Sequence, residues 1–160
     1  MNAITPEPIR RHFDLNVMGL LLITKAAVRE FPAEGGSVID ISSGAGRSGA
    51  PGGSVYSGTK AAVDTITLSL ARELGPRNIR VNAVSPGLVW TEGTVAMRDS
   101  PIETKIVSET PLAPVGLPED IAKLDRSTLL MNRPRSAARW SRFGRLTLNG
   151  DQHSLLEAYN

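Results

Sequence analysis

The chain has 160 residues, of which 41% are hydrophobic and 21% charged, with a formal net charge of +2 at pH 7. This length and composition are typical of one soluble globular domain, and they exclude a disordered or coiled-coil protein. The lack of cysteine excludes disulfides and thiolate chemistry, and the lack of a secretory signal or an apolar run of roughly 18 residues favours a cytoplasmic protein.

The first half of the chain predicts a helix, a strand and a second helix. Apolar residues recur at steps of three and four over residues 8–31, as in a largely buried helix. The run SVIDIS at 37–42 alternates and is β-branched, which indicates a short strand. Residues 54–74 carry an apolar stripe and end at a Gly-Pro stop signal, so they predict a long helix with Ser54 as its N-cap.

The second half continues this alternation. A strand is expected at 78–85, and a polar loop that can include short helical pieces follows at 88–116. The acidic turn after Leu117 opens another helix, and RLTLN at 145–149 has the pattern of a final strand. Because helices alternate with strands, the connections cross over and the sheet is parallel, so the sequence predicts an α/β fold with about three strands.

Metal and nucleic-acid sites are less favoured. His12 and His153 are the chain's two histidines, and they stand in no recognisable ligand spacing, so no metal site is predicted. Six arginines fall within residues 126–145 without an acid, a pattern that nucleic-acid-binding segments share. A solvated segment is the favoured interpretation, because few aromatic side chains stand between the arginines to stack on bases.

The segment after the first predicted strand contains GAGRSG, a G-x-G-x-x-G pattern at Gly44, Gly46 and Gly49. A dinucleotide-binding loop of this spelling opens directly onto a helix, and an acidic residue follows about 20 positions later. Here GAPGG intervenes before the helix, and no acid ends a second strand at that distance. We therefore interpret the stretch as part of a flexible spacer between Ser43 and Tyr56.

Tyr56 and Lys60 lie four residues apart on the predicted helix, so their side chains share one face. An ammonium group close to a phenol favours the phenolate, which suits tyrosine for acid-base chemistry on a carbonyl or alcohol oxygen. A Y-x-x-x-K pattern also arises by chance in about one of twenty such sequences. However, Ser43 ends the first strand and a Pro-Gly turn ends the second, which puts further features at the same edge of the sheet.

These residues resemble the short-chain dehydrogenase/reductase family. The shared features are a strand ending in Ile-Ser-Ser at 41–43, then Tyr56-x-x-x-Lys60, then VNAVSPG at 81–87. The resemblance extends over residues 8–123. It implies a Rossmann-like, doubly wound parallel sheet, of which this chain holds about three strands with flanking helices.

The resemblance also implies a role for each matching residue. Tyr56 would be the general acid/base, and Ser43 would bind and orient the substrate oxygen. Lys60 would bind the nicotinamide ribose hydroxyls of NAD or NADP and favour the phenolate of Tyr56. Asn16 would hold a water in a proton relay, although by itself it is equally well an ordinary helical asparagine.

The turn after the second strand matches the family's nicotinamide contacts. Pro86 and Gly87 would bring the backbone close to the nicotinamide, although alone they are an ordinary turn. Val89 and Thr91 would touch its carboxamide. Residues 92–115 would form a substrate lid.

The chain departs from the family at the cofactor fingerprint. Neither T-G-x-x-x-G-x-G nor the later N-A-G strand end occurs before Asn16. We therefore expect residues 1–125 to be the carboxyl-terminal part of such a domain, with 126–160 as a divergent basic tail. The helices at 8–31 and 54–74 correspond to the family's subunit contact and imply a homo-oligomer.

Two hypotheses of function follow. The first is an NAD- or NADP-dependent oxidoreductase that interconverts a small-molecule alcohol and a carbonyl compound by hydride transfer. The alternative is a non-catalytic chain that keeps the dimer helices and acts as an association or binding module, since the pyrophosphate loop of the family is absent from the sequence.

Overall fold

The computed structural model describes residues 4–49, 51–110, 115–123 and 140–141. In these residues helices alternate with parallel strands, as the sequence predicts. In chain order the elements are α1 (Pro6–Phe13), a π-helical turn (Asp14–Gly19), α2 (Leu20–Glu30), β1 (Gly36–Ile41), α3 (Ala45–Ser48), α4 (Ser54–Leu74), a 3-10 turn (Gly75–Arg77), β2 (Ile79–Val84), a 3-10 turn (Val95–Met97), α5 (Pro101–Ser108) and β3 (Trp140–Ser141). Residues 118–123 are also helical.

The sheet has the order β1-β2-β3, and both strand pairs are parallel. The register of β1 on β2 runs from Gly36 opposite Ile79 to Ile41 opposite Val84. Since β2 lies between two strands, it is almost entirely buried. The parallel α/β fold is therefore confirmed, whereas the strand predicted at 145–149 lies outside the described residues.

The helix predicted at 8–31 differs from the observed one in two respects. It begins at Pro6, because a second proline also fits the first helical turn, where no backbone donor is needed. A π-helical turn separates α1 from α2, and Asn16 lies within it. Such turns carry an extra residue and often occur at functional sites, but apolar periodicity does not reveal them.

The N-cap predicted for the long helix was also wrong. Ser54 is the first residue of α4, and the N-cap is Gly53, which makes no side-chain cap bond. Gly52 has φ of +76°, a conformation that glycine adopts readily, and this turn makes Gly53 the cap and Ser54 the first helical residue. The loop predicted at 88–116 with short helical pieces contains one such helix, α5, whose N-cap Ser100 accepts a hydrogen bond from the Glu103 amide.

The core lies between α2, α4 and β2. Its buried members come from these three elements, namely Val28, Ala71, Leu74, Ile79 and Val81. Burial of each large aliphatic side chain contributes about 1.5–3 kcal/mol to folding. The guanidinium of Arg77 donates a 3.0 Å hydrogen bond to the Val28 carbonyl and so ties the end of α2 to the turn before β2.

Several large apolar side chains of α1, the π-helical turn and α2 remain exposed. Leu15 is 72% exposed, Leu22 57% and Ile23 71%. Phe13, Met18 and Leu21 beside them line a groove of about 370 Å³. Exposed apolar residues packed this densely are typical of an interaction surface.

Membrane insertion has no support in the helices that the structure describes. None of them combines the length and the hydropathy that crossing a bilayer requires.

A buried carboxyl group joins β1 to α4. Asp40 is 5% exposed, and its Oδ2 accepts a 2.7 Å hydrogen bond from the Thr67 hydroxyl. Burial raises the pKa of Asp40 above its ordinary value, and the Thr67 hydrogen bond partly opposes this shift.

We predict that Gly35→Ala destabilises the fold by at least about 2 kcal/mol in urea unfolding. Gly35 has φ of +97°, and a Cβ there would stand 2.1 Å from the Asn78 carbonyl oxygen. Gly58→Ala is the matched control: Gly58 lies in α4 with no atom within 4 Å of its Cβ position. The control should gain about 0.5–1 kcal/mol, and equal effects of both substitutions would contradict the account.

We also predict a pH-dependent difference between wild type and Asp40→Asn. A carboxyl whose folded pKa is raised contributes stability below its unfolded pKa and loses that contribution as pH rises through the folded value. The thermal midpoint of Asp40→Asn should therefore rise relative to wild type as the pH increases from 4 to 7. A difference that is independent of pH, or that moves in the other direction, would contradict the assignment.

Candidate active site

The carboxyl end of β1 is bonded to the middle of α4. Lys60 Nζ donates a 2.8 Å hydrogen bond to the Ile41 carbonyl. In return the Ser42 hydroxyl donates a 3.1 Å hydrogen bond to the Lys60 carbonyl. These two bonds fix the end of the strand, and with it Ser43, against the helix that carries Tyr56 and Lys60.

The GAGRSG stretch is an ordered turn of helix, so its interpretation as a flexible spacer was wrong. It forms α3, which packs on α4 through Gly46, where a Cβ would lie 2.9 Å from the Ala61 nitrogen. Only glycine allows this close approach. Ser43 Oγ accepts a 3.2 Å hydrogen bond from the Ala45 amide, so Ser43 is fixed at the start of the same turn.

Tyr56 and Lys60 lie on one face of α4. Lys60 Nζ is 5.8 Å from the centroid of the Tyr56 ring, and Tyr56 is 37% exposed. His12 of α1 packs edge-to-face on the same ring with centroids 6.2 Å apart. The phenol therefore has its ring held from two sides while part of the side chain remains open to a ligand.

Burial and a nearby carboxylate have opposite effects on the pKa of Lys60. Burial lowers the pKa of Lys60 below its ordinary value, and the nearby Asp64 carboxylate partly offsets this effect. Asp64 is itself buried, which raises its pKa, and Ser42 and Arg47 act in the other direction. Arg47 Nε lies 3.5 Å from Asp64 Oδ2.

Asn16 is linked to the catalytic helix by a side chain that the sequence pattern does not single out. Its Nδ2 donates a 3.0 Å hydrogen bond to Thr59 Oγ1. The Thr59 hydroxyl in turn donates to the Tyr56 carbonyl at 2.8 Å, and Thr59 is fully buried. Asn16, which lies in the π-helical turn, is thus linked to the backbone of Tyr56 by two hydrogen bonds through the Thr59 hydroxyl.

The turn after β2 meets the end of β1. The Pro86 carbonyl accepts a 2.8 Å hydrogen bond from the Gly44 amide, which places Pro86 and Gly87 beside the Ser43 segment. The structure thus places the Ser43 segment and the Pro86-Gly87 turn together at one edge of the sheet, as expected for parallel strands.

The loop that follows is closed at its base. Val89 forms a parallel bridge with Gly116, which bonds to Leu88 and Trp90 on either side at 3.0 and 2.9 Å. In a parallel bridge of this kind the amide of Val89 points away from Gly116. The predicted lid at 92–115 therefore begins and ends at one fixed point, although 111–114 lie outside the described residues.

Thr94 was missed by sequence reasoning, although it fixes both predicted carboxamide contacts. Its hydroxyl donates a 2.6 Å hydrogen bond to the Val89 carbonyl and accepts a 2.9 Å one from the Thr91 amide. The Thr91 hydroxyl lies 3.1 Å from the same oxygen. A threonine three residues after another was the available signal.

No group of three His, Asp or Glu side chains that could bind a metal ion occurs within the described part of the chain. The site is instead made of hydroxyl, phenol, amide and ammonium groups at the strand ends of a parallel sheet. Alpha/beta proteins bind ligands at this edge.

Comparison with known proteins identifies the family. A family profile described as enoyl-(acyl carrier protein) reductase matches residues 1–129. An uncharacterized oxidoreductase of Methylorubrum extorquens is 50% identical over 124 residues, which are 76% of this chain and 50% of that protein. A 3alpha-hydroxysteroid dehydrogenase of Mediterraneibacter gnavus is 42% identical over 118 residues, covering 73% of this chain and 47% of its own length.

Solved structures agree with this grouping. A short-chain type dehydrogenase/reductase from Mycobacterium ulcerans has a TM-score of 0.78 at 32% identity and covers 85% of this chain and 50% of its own. The chain belongs to the short-chain dehydrogenase/reductase family of oxidoreductases, and the predicted Rossmann-like fold is confirmed. It spans about half the length of the curated relatives that it matches.

Two further solved neighbours contain nicotinamide nucleotides. They are a 4-hydroxyisoleucine dehydrogenase complexed with NADH (TM-score 0.73, 25% identity, 89% of this chain and 60% of that one) and an angucycline C-6 ketoreductase with bound NADP (TM-score 0.78, 25% identity, 90% and 55%).

We predict that Thr59→Val lowers the free energy of unfolding by about 1–3 kcal/mol, because it leaves the Asn16 amide without its buried acceptor. Thr59→Ser keeps the hydroxyl and should retain most of the stability. Thr65→Val is the matched control on the exposed side of α4, where the lost bond is only to the Ala61 carbonyl one turn earlier. An equal loss in Thr59→Val and Thr65→Val would contradict the link.

Proposed function

We propose that this chain carries the acid-base part of an NAD- or NADP-dependent oxidoreductase site that interconverts a small-molecule alcohol and a carbonyl compound. The observation that carries the proposal is the pair of hydrogen bonds joining Lys60 to the end of β1. Because of them, the Ser43 hydroxyl and the exposed Tyr56 phenol stand on two elements that are held together.

Each side chain has a definite task in this proposal. The phenol of Tyr56 donates a proton to the substrate oxygen during reduction and accepts it during oxidation. The hydroxyl of Ser43 donates a hydrogen bond to the same oxygen and orients it. Asn16, held by Thr59, retains a water through which the proton reaches solvent.

The residues present fit the nicotinamide half of the cofactor. A bound NADH or NADPH supplies the hydride in the reducing direction. The Lys60 ammonium has two donors left after its bond to the Ile41 carbonyl, and these suit ribose hydroxyls. The amide of Val89 faces away from Gly116 and suits a carboxamide oxygen, while Pro86 and Gly87 form the adjacent backbone wall.

Thr91 fits the predicted contact with the carboxamide less directly. Its amide and its hydroxyl are both hydrogen-bonded to the Thr94 hydroxyl, so only a second hydrogen bond of the Thr91 hydroxyl is left for the carboxamide. The proposal assigns no described residue to the pyrophosphate, and it treats NAD and NADP alike.

The relatives support the reaction class. Two matched proteins are described as a hydroxysteroid dehydrogenase and a ketoreductase, and both names describe alcohol-carbonyl interconversion. A location in the cytoplasm, a division at residue 125 and a function without nucleic-acid binding stay predictions.

The alternative, an association module, is supported by the exposed apolar side chains of α1, the π-helical turn and α2. Leu22 and Ile23 are both more than half exposed there. In this second proposal the chain forms a homo-oligomer, such as a dimer, through the helices at 8–31 and 54–74. Such a dimer could also be an oxidoreductase, so the two proposals do not exclude each other.

Light scattering on purified chain would test the dimer, and a monomer at about 100 μM would contradict it.

We predict that NADH and NADPH titrations, followed by nicotinamide fluorescence, give saturable binding to the 160-residue chain. Tyr56→Phe should keep the dissociation constant within a few-fold, because the lost hydroxyl acts on the substrate oxygen. Turnover of a ketone panel should fall by about 10²–10⁴, the typical contribution of a positioned acid-base group.

Tyr159→Phe makes the same change at the chain's other tyrosine and serves as the control, with no expected loss of turnover. Absence of binding of either nucleotide at millimolar concentration would sink catalysis by this chain alone. Full turnover in Tyr56→Phe would reject Tyr56 as the acid-base group.

A further inference from the structure

The short helix α3 touches α4 backbone to backbone. At Gly46 a Cβ would lie 2.9 Å from both the Ala61 nitrogen and the Lys60 carbonyl carbon. Both are main-chain atoms of a 21-residue helix, so no change of rotamer makes room for a side chain there. One of the two main chains would have to move. The lack of a side chain at Gly46 therefore sets how closely α3 approaches α4.

The same glycine is bonded to Ser43. The Gly46 amide donates a 3.0 Å hydrogen bond to the Ser43 carbonyl, and the Ala45 amide donates a 3.2 Å hydrogen bond to Ser43 Oγ. Ser43 and α3 therefore form one hydrogen-bonded unit. Since Gly46 belongs to this unit and also touches α4, the distance from Ser43 to α4 depends on this contact.

The point of contact on α4 lies one helical turn after Tyr56. It is the peptide between Lys60 and Ala61, whose carbonyl also accepts the 3.1 Å hydrogen bond from the Ser42 hydroxyl. Tyr56 belongs to the same continuous helix, so its backbone keeps a fixed position relative to this peptide. Gly46 thus separates the strand end that carries Ser43 from the helix that carries Tyr56.

A second link between the two helices is electrostatic. Arg47 Nε lies 3.5 Å from Asp64 Oδ2, and the Arg47 side chain is 26% exposed. An ion pair that water reaches contributes little, and its long side chains can follow a shift of the helices. Two main chains in contact cannot overlap. The contact at Gly46 is therefore the stronger constraint on the spacing of α3 and α4.

We propose that Gly46 is a positioning residue that sets the distance between the Ser43 hydroxyl and the Tyr56 phenol. The middle glycine of the G-x-G-x-x-G pattern then has a task in the geometry of the site in place of phosphate binding. The purpose of this spacing rests on the proposed function, in which both hydroxyls reach one substrate oxygen. Gly46 itself touches neither substrate nor cofactor in this proposal.

The size of the effect follows from contact distances. Carbon atoms that are not bonded pack about 3.5–4.0 Å apart, so a methyl group 2.9 Å from the Lys60 carbonyl carbon pushes α3 and Ser43 away by roughly 0.6–1 Å. The working range of a catalytic hydrogen bond, about 2.6–3.2 Å, is no wider than this shift. The shift therefore moves Ser43 Oγ out of reach of an oxygen that Tyr56 binds.

We expect Gly46→Ala to lower kcat for a ketone panel by about 10–100-fold, while the dissociation constant for NADH stays within a few-fold. Gly58→Ala is the matched control, because it adds the same methyl group two residues after Tyr56, where no atom lies within 4 Å. Its kcat should be unchanged. In a Ser43→Ala background, which leaves no hydroxyl to misplace, Gly46→Ala should cost no further turnover. An equal loss of turnover in both backgrounds would overturn the proposal.

Crystal structures of wild type and Gly46→Ala test the spacing without nucleotide or turnover. After superposition on α4 and β2, Ser43 Oγ of the variant should lie further from the Tyr56 hydroxyl by at least about 0.5 Å. A Ser43 that has not moved would overturn the proposal.

Arg47→Met keeps the test decisive if Gly46→Ala fails to fold. It removes the ion pair with Asp64 but adds no atom at the contact between Gly46 and α4. Its kcat and its distance from Ser43 to Tyr56 should therefore match wild type. A change in either would show that the ion pair sets the spacing, and would overturn the proposal.

These outcomes are separate from nucleotide binding. If Ser43 moves as expected in Gly46→Ala but the wild-type chain binds neither NADH nor NADPH, the spacing role of Gly46 stands and the proposed function is rejected.

Discussion

The site depends on the contact between Lys60 and the end of β1. One residue of α4 donates through its side chain to Ile41 and accepts through its carbonyl from Ser42, at 2.8 and 3.1 Å. Because both bonds reach the last residues of the strand, the helix cannot slide along it without breaking them. The positions of Ser43 and Tyr56 are therefore coupled through Lys60, which is what a reaction on an oxygen between them requires.

The residues around this contact hold the site residues in place. Gly46 removes the side chain that would separate α3 from α4, and Thr59 joins Asn16 to the backbone of Tyr56. The buried Asp64 carboxylate lies 3.5 Å from the guanidinium of the more exposed Arg47, across the contact between α4 and α3.

Much of the fold could be predicted because its signals are local. Apolar periodicity, β-branched runs and Gly-Pro stops located β1, α4 and β2 to within a residue or two. The π-helical turn, the helical state of GAGRSG and the cap of α4 were missed, because each depends on backbone geometry or on contact between distant segments. In the site, the Tyr-Lys spacing was visible in the sequence, whereas Thr59 and Arg47 act across 43 and 17 residues of chain, to Asn16 and Asp64.

The most direct test of the account is the position of the reacting oxygen. A crystal structure of this chain with NAD⁺ and a tertiary alcohol, which cannot be oxidised, would locate it. The account predicts the alcohol oxygen within about 2.6–3.2 Å of both Ser43 Oγ and the Tyr56 hydroxyl, with Lys60 Nζ on the nicotinamide ribose. An alcohol bound away from these two hydroxyls, or a nucleotide bound away from the ends of β1 and β2, would contradict it.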